Sequence, residues 1–281
     1  MQQLLPNQEI IPALKNTCTF FYFFELKGSS DIGAEIRQKF AKQQAKCLYW
    51  LDCKYAFIGE GENTWTHAAI FKFSNFEAVT QAIANGISCG GVGAIQGFAV
   101  HTNPPPKFIL FLFKLLRLIG TFLNRNAKKW TVNEVLAITG GTGVGGITPT
   151  EKQITRHLQN KDTSKAYMIN LLQTYKKAKY AGEDLKVSGA TAYYKKYGFV
   201  AARSVYMLGG SLVLSGRMGQ PIIEFNTSTL TKGAWEGIGI MQYPNPTNLI
   251  DLEKMPGYKK SLVHRNAGLE RTVLIVAKNG L

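Results

Sequence analysis

The chain has 281 residues, 45% of them hydrophobic, which is enough for a sizeable core and for two domains of ordinary size. Its formal net charge of +15 favours an anionic partner such as phospholipid, nucleic acid or an acidic protein. Its four cysteines form no CxxC pair and no zinc-ligand spacing, and residues 1–15 contain no secretory signal, so we expect a cytoplasmic protein with reduced thiols and no metal.

The first predicted strand, residues 19–27, is apolar on both faces. Alternation along a strand places its side chains in two sets on opposite faces: Phe21, Phe23 and Glu25 on one, and Phe20, Tyr22, Phe24 and Leu26 on the other. Since both sets are mainly aromatic, we expect helices against one face and a second sheet or an apolar cavity against the other.

An internal repeat indicates that the chain has two similar halves. Residues 65–75 (WTHAAIFKFSN) and 235–245 (WEGIGIMQYPN) share Trp, Ile, an aromatic residue and Asn in register without a gap. Residues 22–26 (YFFEL) and 167–171 (YMINL) likewise begin with Tyr and end with Leu. Internal similarity of this kind predicts a tandem duplication.

Each half is predicted to contain the same elements in the order βαββαβ. In the first half these are strand 19–27, helix 31–46, strands 48–59 and 64–73, helix 75–86 and strand 94–102. In the second half they are strand 165–175, helix 188–200, strands 203–216 and 234–243, helix 245–263 and strand 269–277. This order is typical of a four-stranded antiparallel sheet with both helices on one face, the ferredoxin-like arrangement.

Each sheet would cover the bare face of the other. We therefore expect an α+β fold in which residues 1–106 and 147–281 form two ferredoxin-like halves of one intramolecular α+β barrel. Residues 107–146 would form a separate segment that joins them.

The joining segment begins with a predicted amphipathic helix over residues 107–129 (KFILFLFKLLRLIGTFLNRNAKK), which has six basic residues and no acidic ones. Its polar side chains form one narrow stripe on a helical projection: Lys107, Lys114, Arg117, Thr121, Asn124 and Lys128. The apolar part, residues 108–123, is too short and too interrupted by charge to span a bilayer.

We therefore expect this helix to lie in a membrane interface as a monotopic anchor. The apolar side chains that would enter the membrane are Phe108, Phe111, Leu112, Leu115 and Leu118, and those that would contact anionic headgroups are Lys114 and Arg117. Packing across the barrel or against a second copy is the alternative, and the three prolines at 104–106, which turn the chain away, weigh against it. A transmembrane hairpin is less favoured, since it needs two long apolar segments and the sequence has one.

Residues 135–146 (VLAITGGTGVGG) suggest a dinucleotide-binding turn at first sight. The fingerprint requires a helix directly after the glycines, whereas here Ile147, Thr148 and Pro149 follow them. No Lys-Ser or Lys-Thr pair completes a phosphate-binding loop. A flexible linker or lid is therefore the preferred interpretation.

Several stretches of the second half carry a family resemblance: ITPTEKQ (147–153), AYMINLLQTY (166–175), MQYPN (241–245), MPGY (255–258) and HRNAGLERTVLIVA (264–277). They are similar to the dimeric α+β barrel superfamily, and most similar to its small uncharacterised bacterial members. The first half is included only through the repeat. That superfamily contains antibiotic-biosynthesis monooxygenases, polyketide cyclases, muconolactone isomerases and haem proteins, so the resemblance implies a barrel and no single chemistry.

Polar residues on the two central strands of each half are the candidate catalytic groups. Glu25 and Lys72 hold these positions in the first half, and the repeat places Asn170 and Gln242 at the corresponding positions. Glu25 and Lys72 would form either a buried acid–base pair or a structural salt bridge at the rim.

Histidines and a tyrosine add further candidates. His67 would be a proton shuttle if it faces the cavity, or a structural histidine if it lies beneath the helices, and Tyr243 has the same ambiguity. The resemblance implies that His264, near the end of the last helix, would be the axial ligand if the protein binds haem. Otherwise His264 serves the helix dipole.

The favoured function is that of an enzyme acting on a lipophilic small molecule such as a polyketide, isoprenoid, quinone or pigment precursor. This substrate would pass from the membrane into a barrel lined by Phe21, Phe23, Trp50 and Trp65 for cyclase, isomerase or cofactor-independent monooxygenase chemistry. The alternatives are a non-enzymatic lipid- or pigment-binding module at the membrane surface and a haem-binding barrel. We expect no cofactor and no nucleic-acid partner, and homo-oligomerisation stays open.

Overall fold

The structure is a computed structural model that describes residues 1–28, 31–102, 104–123, 130–139, 146–182 and 185–280. The first half contains β1 (Gln2–Gln3), a 3₁₀ segment (Gln8–Leu14), β2 (Thr19–Leu26), α1 (Asp31–Lys42), β3 (Ala45–Ile58), β4 (His67–Phe73), α2 (Phe76–Asn85), β5 (Ser88–Cys89), β6 (Val92–Ala99) and β7 (His101–Thr102). The joining segment and the residues after it contain α3 (Lys107–Leu123), α4 (Val132–Thr139) and α5 (Glu151–Gln159).

The second half begins with β8 (Ala166–Thr174) and continues through a π-helical segment (Thr191–Tyr197), α6 (Gly198–Met207), β9 (Ser211–Arg217), β10 (Ile223–Phe225) and β11 (Gly237–Tyr243). It ends with α7 (Asn248–Asp251), a second 3₁₀ segment (Leu252–Lys254), α8 (Tyr258–Gly268) and β12 (Leu269–Asn279).

One antiparallel sheet contains most of these strands, in the order β10-β6-β2-β4-β3-β12-β8-β11-β9-β7. The main strands of the first half lie in the order β6-β2-β4-β3, and those of the second half lie in the equivalent order β12-β8-β11-β9. This mixed architecture with antiparallel strands confirms the predicted α+β class and is consistent with a ferredoxin-like arrangement. The halves meet where β3 pairs with β12, where β9 pairs with β7, the short strand after β6, and where β10 pairs with β6.

The first predicted strand, β2, is buried on both faces, as its alternating aromatic residues indicate. Phe20, Tyr22 and Phe24 pack with side chains from α1 and α2. Phe21 and Phe23 lie in a second cluster with apolar side chains from the sheet of the other half. The strand therefore has helices on one side and strands of the other half on the opposite side.

The first helical region of the second half is longer than predicted. The π-helical segment and α6 together extend past the helix predicted over 188–200 and through the start of the strand predicted over 203–216. Helical spacing explains this, since Tyr197, Ala201 and Val205 lie four residues apart and are buried together.

The helix predicted over 245–263 is divided into α7, a 3₁₀ segment and α8. Pro256 lacks an amide donor, and Gly257 has a left-handed φ of 79°, a conformation that favours glycine. The chain therefore changes direction before α8 begins.

The joining segment contains two helices where one was predicted. The predicted helix over 107–129 is present as α3 up to residue 123, and residues 124–129 lie outside the described residues. Within the stretch predicted to be a linker, α4 is helical, and residues 140–145 also lie outside the described residues.

Candidate functional site

A cavity of about 410 Å³ lies between the sheet of the second half and the helices that cover it. Its lining comes from β8, β11 and β12 on one side and from the π-helical segment, α6 and α8 on the other. A further part of the wall comes from α3 and the prolines before it. The lining is mostly apolar, and the volume falls in the range of about 300–1,000 Å³ that is typical of small-molecule sites.

Side chains occupy the space between the strands of the two halves, where the ligand cavity was predicted. Phe23 stacks on Trp65 with ring centroids 5.5 Å apart, and Phe21 lies 4.8 Å from Phe23. Trp50 lies on the other face of the sheet, stacked on Phe24 at 5.7 Å. None of the four predicted lining residues borders the cavity of the second half.

Glu25 and Lys72 do not form a pair. Lys72 lies opposite Thr19 in the register of β2 and β4, and Thr19 is separated from Glu25 by roughly 20 Å of extended strand. Lys72 is exposed, and Glu25 lies 3.5 Å from the amino group of Lys27. The strand register therefore contradicts both the predicted acid–base pair and the predicted cross-strand salt bridge.

His67 lies on β4, away from the cavity. Its Nδ1 atom is 2.8 Å from the hydroxyl of Thr66, and its Nε2 atom is 3.5 Å from the Asp52 carboxylate. Burial lowers the pKa of His67, and the Asp52 carboxylate partly opposes that effect. The ring also contacts Trp50, at 5.4 Å between centroids. These contacts favour the structural interpretation of His67.

Of the predicted catalytic residues, Asn170 and Tyr243 line the cavity. The Asn170 side chain donates to the carbonyl oxygen of Gly239 at 3.2 Å. Burial raises the pKa of Tyr243, so its phenol is neutral. Gln242 is not part of the lining, and its side-chain oxygen accepts a hydrogen bond from Arg117 at 3.3 Å.

Further tyrosines that the sequence interpretation missed also line the cavity: Tyr193, Tyr194, Tyr197 and Tyr258. The hydroxyls of Tyr197 and Tyr258 are 3.0 Å apart. Burial raises the pKa of all four, so each is a neutral phenol that can donate a hydrogen bond. Tyr193 and Tyr197 lie one turn apart within a predicted helix, and this spacing was the available signal that they share a face.

Glu253 and Arg265 add opposite charges to the cavity wall. Burial raises the pKa of Glu253 to about 7, although Lys259 and Arg265 act in the opposite direction. The Oε2 atom of Glu253 is buried and has no hydrogen-bond partner among the described residues. A carboxyl that titrates near neutral pH in a cavity is a candidate for proton transfer or ligand recognition. No pattern in the sequence indicated Glu253.

One face of α3 packs on the second half and forms part of the cavity wall. Ile109 and Phe113 line the cavity, and the Phe113 ring lies 4.9 Å from that of Tyr206. The Nε atom of Arg117 donates to the carbonyl of Gly209 at 3.1 Å. Arg117 therefore contacts the protein, whereas the sequence placed it among the headgroup-binding side chains.

The other face of α3 is apolar and exposed. Its large side chains are between 40% and 68% exposed: Phe108, Phe111, Leu112, Leu115, Leu118, Ile119 and Phe122. Lys107 and Lys114 are exposed on the same helix. Of the helices in the described ranges, none is both long enough and apolar enough to cross a membrane.

The cavity does not offer the axial histidine on which the haem alternative depends. His264 is not part of the lining, and its Nδ1 atom lies 2.8 Å from the hydroxyl of Tyr180. The described lining residues include no histidine and no cysteine. Burial raises the pKa of the lining tyrosines and so disfavours a phenolate ligand. Histidine-ligated haem therefore does not fit this cavity.

No family model matches the chain, and no curated protein matches it significantly. Among solved structures, a protein of unknown function from Rhodopseudomonas palustris is similar at 24% identity and a TM-score of 0.40, over 48% of this chain and 96% of its own. A mutant chlorite dismutase from Candidatus Nitrospira defluvii, in complex with cyanide, is similar at 10% identity and a TM-score of 0.37, over 96% of this chain and 94% of its own. Because each TM-score is below 0.5, no activity or ligand of these proteins is transferred to this chain.

Proposed function

We propose that this protein takes an apolar small molecule from a membrane surface into the cavity of its second half and transforms it there. The observation that carries this proposal is the position of α3. One face of α3 forms part of the cavity wall, and the opposite face exposes large apolar side chains on a helix with two exposed lysines. A helix of this kind binds anionic membrane surfaces through apolar burial and electrostatic attraction.

The strand pairings support the barrel interpretation of the fold. The pairs β3–β12, β9–β7 and β10–β6 connect the halves, and the equivalent strand orders favour an origin by duplication. In this interpretation, residues 1–106 and 147–281 enclose a packed interior that holds the halves together. The ligand site then lies outside the barrel, beneath the helices of the second half.

Cyclase or isomerase chemistry suits the few polar groups of the cavity. Glu253 can give or take a proton near neutral pH, and the buried tyrosine hydroxyls can donate to an oxygen of the substrate. The apolar wall would hold the substrate in one conformation beside these groups. A non-enzymatic binding module is the alternative, and it would bind the same ligands without needing Glu253.

Vesicle flotation tests the membrane part of this proposal. A variant that combines Phe111→Ser, Leu115→Ser and Leu118→Ser should lose most of its binding to vesicles that contain phosphatidylserine, since it removes apolar area from the exposed face. A matched control changes three exposed apolar side chains outside α3 to serine: Leu185, Phe225 and Val263. Equal flotation of both variants would contradict the proposal that the protein binds membranes through α3.

Native mass spectrometry of the purified protein tests the cavity part. We expect the folded chain to retain a co-purified apolar ligand. The bound fraction of this ligand should fall in Ala202→Trp, because Ala202 lines the cavity and a large ring would fill it. A ligand retained equally by this variant would place binding elsewhere. A haem mass with a Soret band would favour the haem alternative instead.

A further inference from the structure

A small polar group interrupts the apolar wall of the cavity: Glu253, Arg265, Tyr197 and Tyr258. Burial raises the pKa values of both Glu253 and Tyr197, and Arg265 opposes this rise at each, so the three side chains lie near one another. The Tyr258 hydroxyl is 3.0 Å from that of Tyr197. The group thus gathers side chains from a 3₁₀ segment, the π-helical segment and α8.

This group has an excess of hydrogen-bond donors. Arg265 donates to the carbonyl of Ile147 at 2.6 Å and to the side-chain oxygen of Asn266 at 3.2 Å, and a guanidinium has five N–H groups. Glu253 has a buried oxygen without a partner among the described residues, and it becomes a donor when protonated. A ligand that brings acceptor oxygens would satisfy these donors.

Positive charge also exceeds negative charge around Glu253. From α8, Lys259 and Arg265 face it, and from the π-helical segment Tyr197 does so as a neutral phenol. From α6, Arg203 donates to the carbonyl of Pro256 nearby. When Glu253 is protonated, these surroundings therefore suit a negatively charged group from a ligand.

We propose that the cavity takes an apolar molecule ending in a carboxylate, which is held between the Arg265 guanidinium and the protonated carboxyl of Glu253; this rests on the proposed apolar-ligand function. The apolar chain of the ligand lies along the wall that α3 and α6 form. The carboxylate accepts hydrogen bonds from Arg265 and from the O–H of Glu253, in the way that charge-assisted pairs do. The buried oxygen of Glu253 thereby gains the partner it lacks.

Binding of such a ligand is linked to proton uptake. Since the pKa of Glu253 is about 7, roughly half of its carboxyls are protonated at pH 7 in the free protein. A carboxylate beside Glu253 raises this pKa further, so each ligand takes up about half a proton at pH 7. The affinity for a carboxylate should fall as the pH rises above 7, because Glu253 then ionises and repels it.

Decanoate and decanol test the proposal, because they share an apolar chain and differ in charge. Isothermal titration calorimetry on the full chain should show decanoate bound at least about tenfold more tightly than decanol. Arg265→Gln should abolish this preference and change decanol binding by less than about twofold, and Arg265→Lys should restore part of the preference. Lys195→Gln, an exposed lysine outside the lining, is the matched control and should keep the preference.

Glu253→Gln separates the two charged partners. Glutamine keeps an N–H donor and cannot titrate, so the variant should bind decanoate and lose the proton uptake that buffers of different ionisation enthalpy reveal. Decanol binding without a preference for decanoate, or a preference that survives Arg265→Gln, would overturn the carboxylate site and leave the apolar-ligand function intact. Proton uptake that persists in Glu253→Gln would overturn the role of Glu253. Failure of both probes to bind the wild-type chain would overturn both proposals.

Discussion

The two halves have the same strand order, yet the sheet faces beneath their helices differ. In the first half, α1 and α2 cover a stack of rings in which Phe40 lies 3.9 Å from Phe71 and Tyr22 lies 5.6 Å from Phe24. In the second half, the corresponding face borders a cavity of about 410 Å³. One topology therefore supports a filled core in one half and a candidate ligand site in the other.

The helices of the two halves also differ in how regular they are. In the first half, α1 and α2 are continuous α-helices, whereas the second half has a π-helical segment and a helix broken before α8. A π-helical segment changes the direction in which side chains leave a helix, and such segments are frequent at functional sites. The break places Glu253 in a short 3₁₀ segment on the cavity wall. Irregular helices thus accompany the half that has room for a ligand.

The largest effect should come from removing a ring from the filled face. Phe40→Ala should lower the free energy of unfolding by about 3–5 kcal/mol, since it leaves a void among packed aromatic side chains. Leu249→Ala, at the cavity wall, should cost roughly half of this or less, because that side chain already borders open space. Urea unfolding of both variants measures the difference, and equal losses would contradict the contrast between the two faces.

A second effect concerns His157, which connects β3 of the first half to the second half. Its Nδ1 atom is 3.0 Å from the hydroxyl of Tyr55 on β3, and its Nε2 atom is 3.1 Å from the carbonyl of Pro246. Burial lowers the pKa of His157 to about 4, below the value of about 6.5 expected when the chain is unfolded. The unfolded chain therefore binds the proton first as the pH falls.

The resulting stabilisation is present above about pH 6.5 and is lost progressively as the pH falls towards 4. We expect the free energy of unfolding to drop by roughly 2 kcal/mol through His157 between pH 8 and pH 5. Urea unfolding at several pH values measures this drop, and His157→Gln should flatten the curve in this interval. An equally steep curve in the variant would assign the pH dependence to other groups.

A third comparison uses a pair of glycines, one on each face, and the second of them has the smallest expected effect. A Cβ atom at Gly97 would collide with the ring of Tyr22 and with Ile223, so Gly97→Ala should cost about 1–3 kcal/mol. At Gly239, which lines the cavity, no described heavy atom lies within 4 Å of the added Cβ. Gly239→Ala should therefore stabilise the protein by about 0.4–1 kcal/mol, because alanine lowers the conformational entropy of the unfolded chain. Thermal unfolding that shows a loss in both variants would indicate that the second face is filled as well.

Two residues of the candidate site were named from the sequence, but for a different cavity. Asn170 was predicted to face the interior between the two halves, and Tyr243 was left open between facing that interior and lying beneath the helices; both line the cavity under the helices of the second half. The pairing of Glu25 with Lys72 failed because alternation gives the face of a residue and says nothing about the register of its neighbour. Glu253 was missed because its position depends on where a helix breaks.

Period-two and helical patterns along the chain were sufficient for the fold class, the burial of β2 on both faces and the apolar surface of α3, because each of these depends on residues close in sequence. The location of the cavity was not accessible in this way. It depends on how completely side chains from distant segments fill the space between a sheet and its helices, and packing density is a property of their contacts rather than of any local pattern.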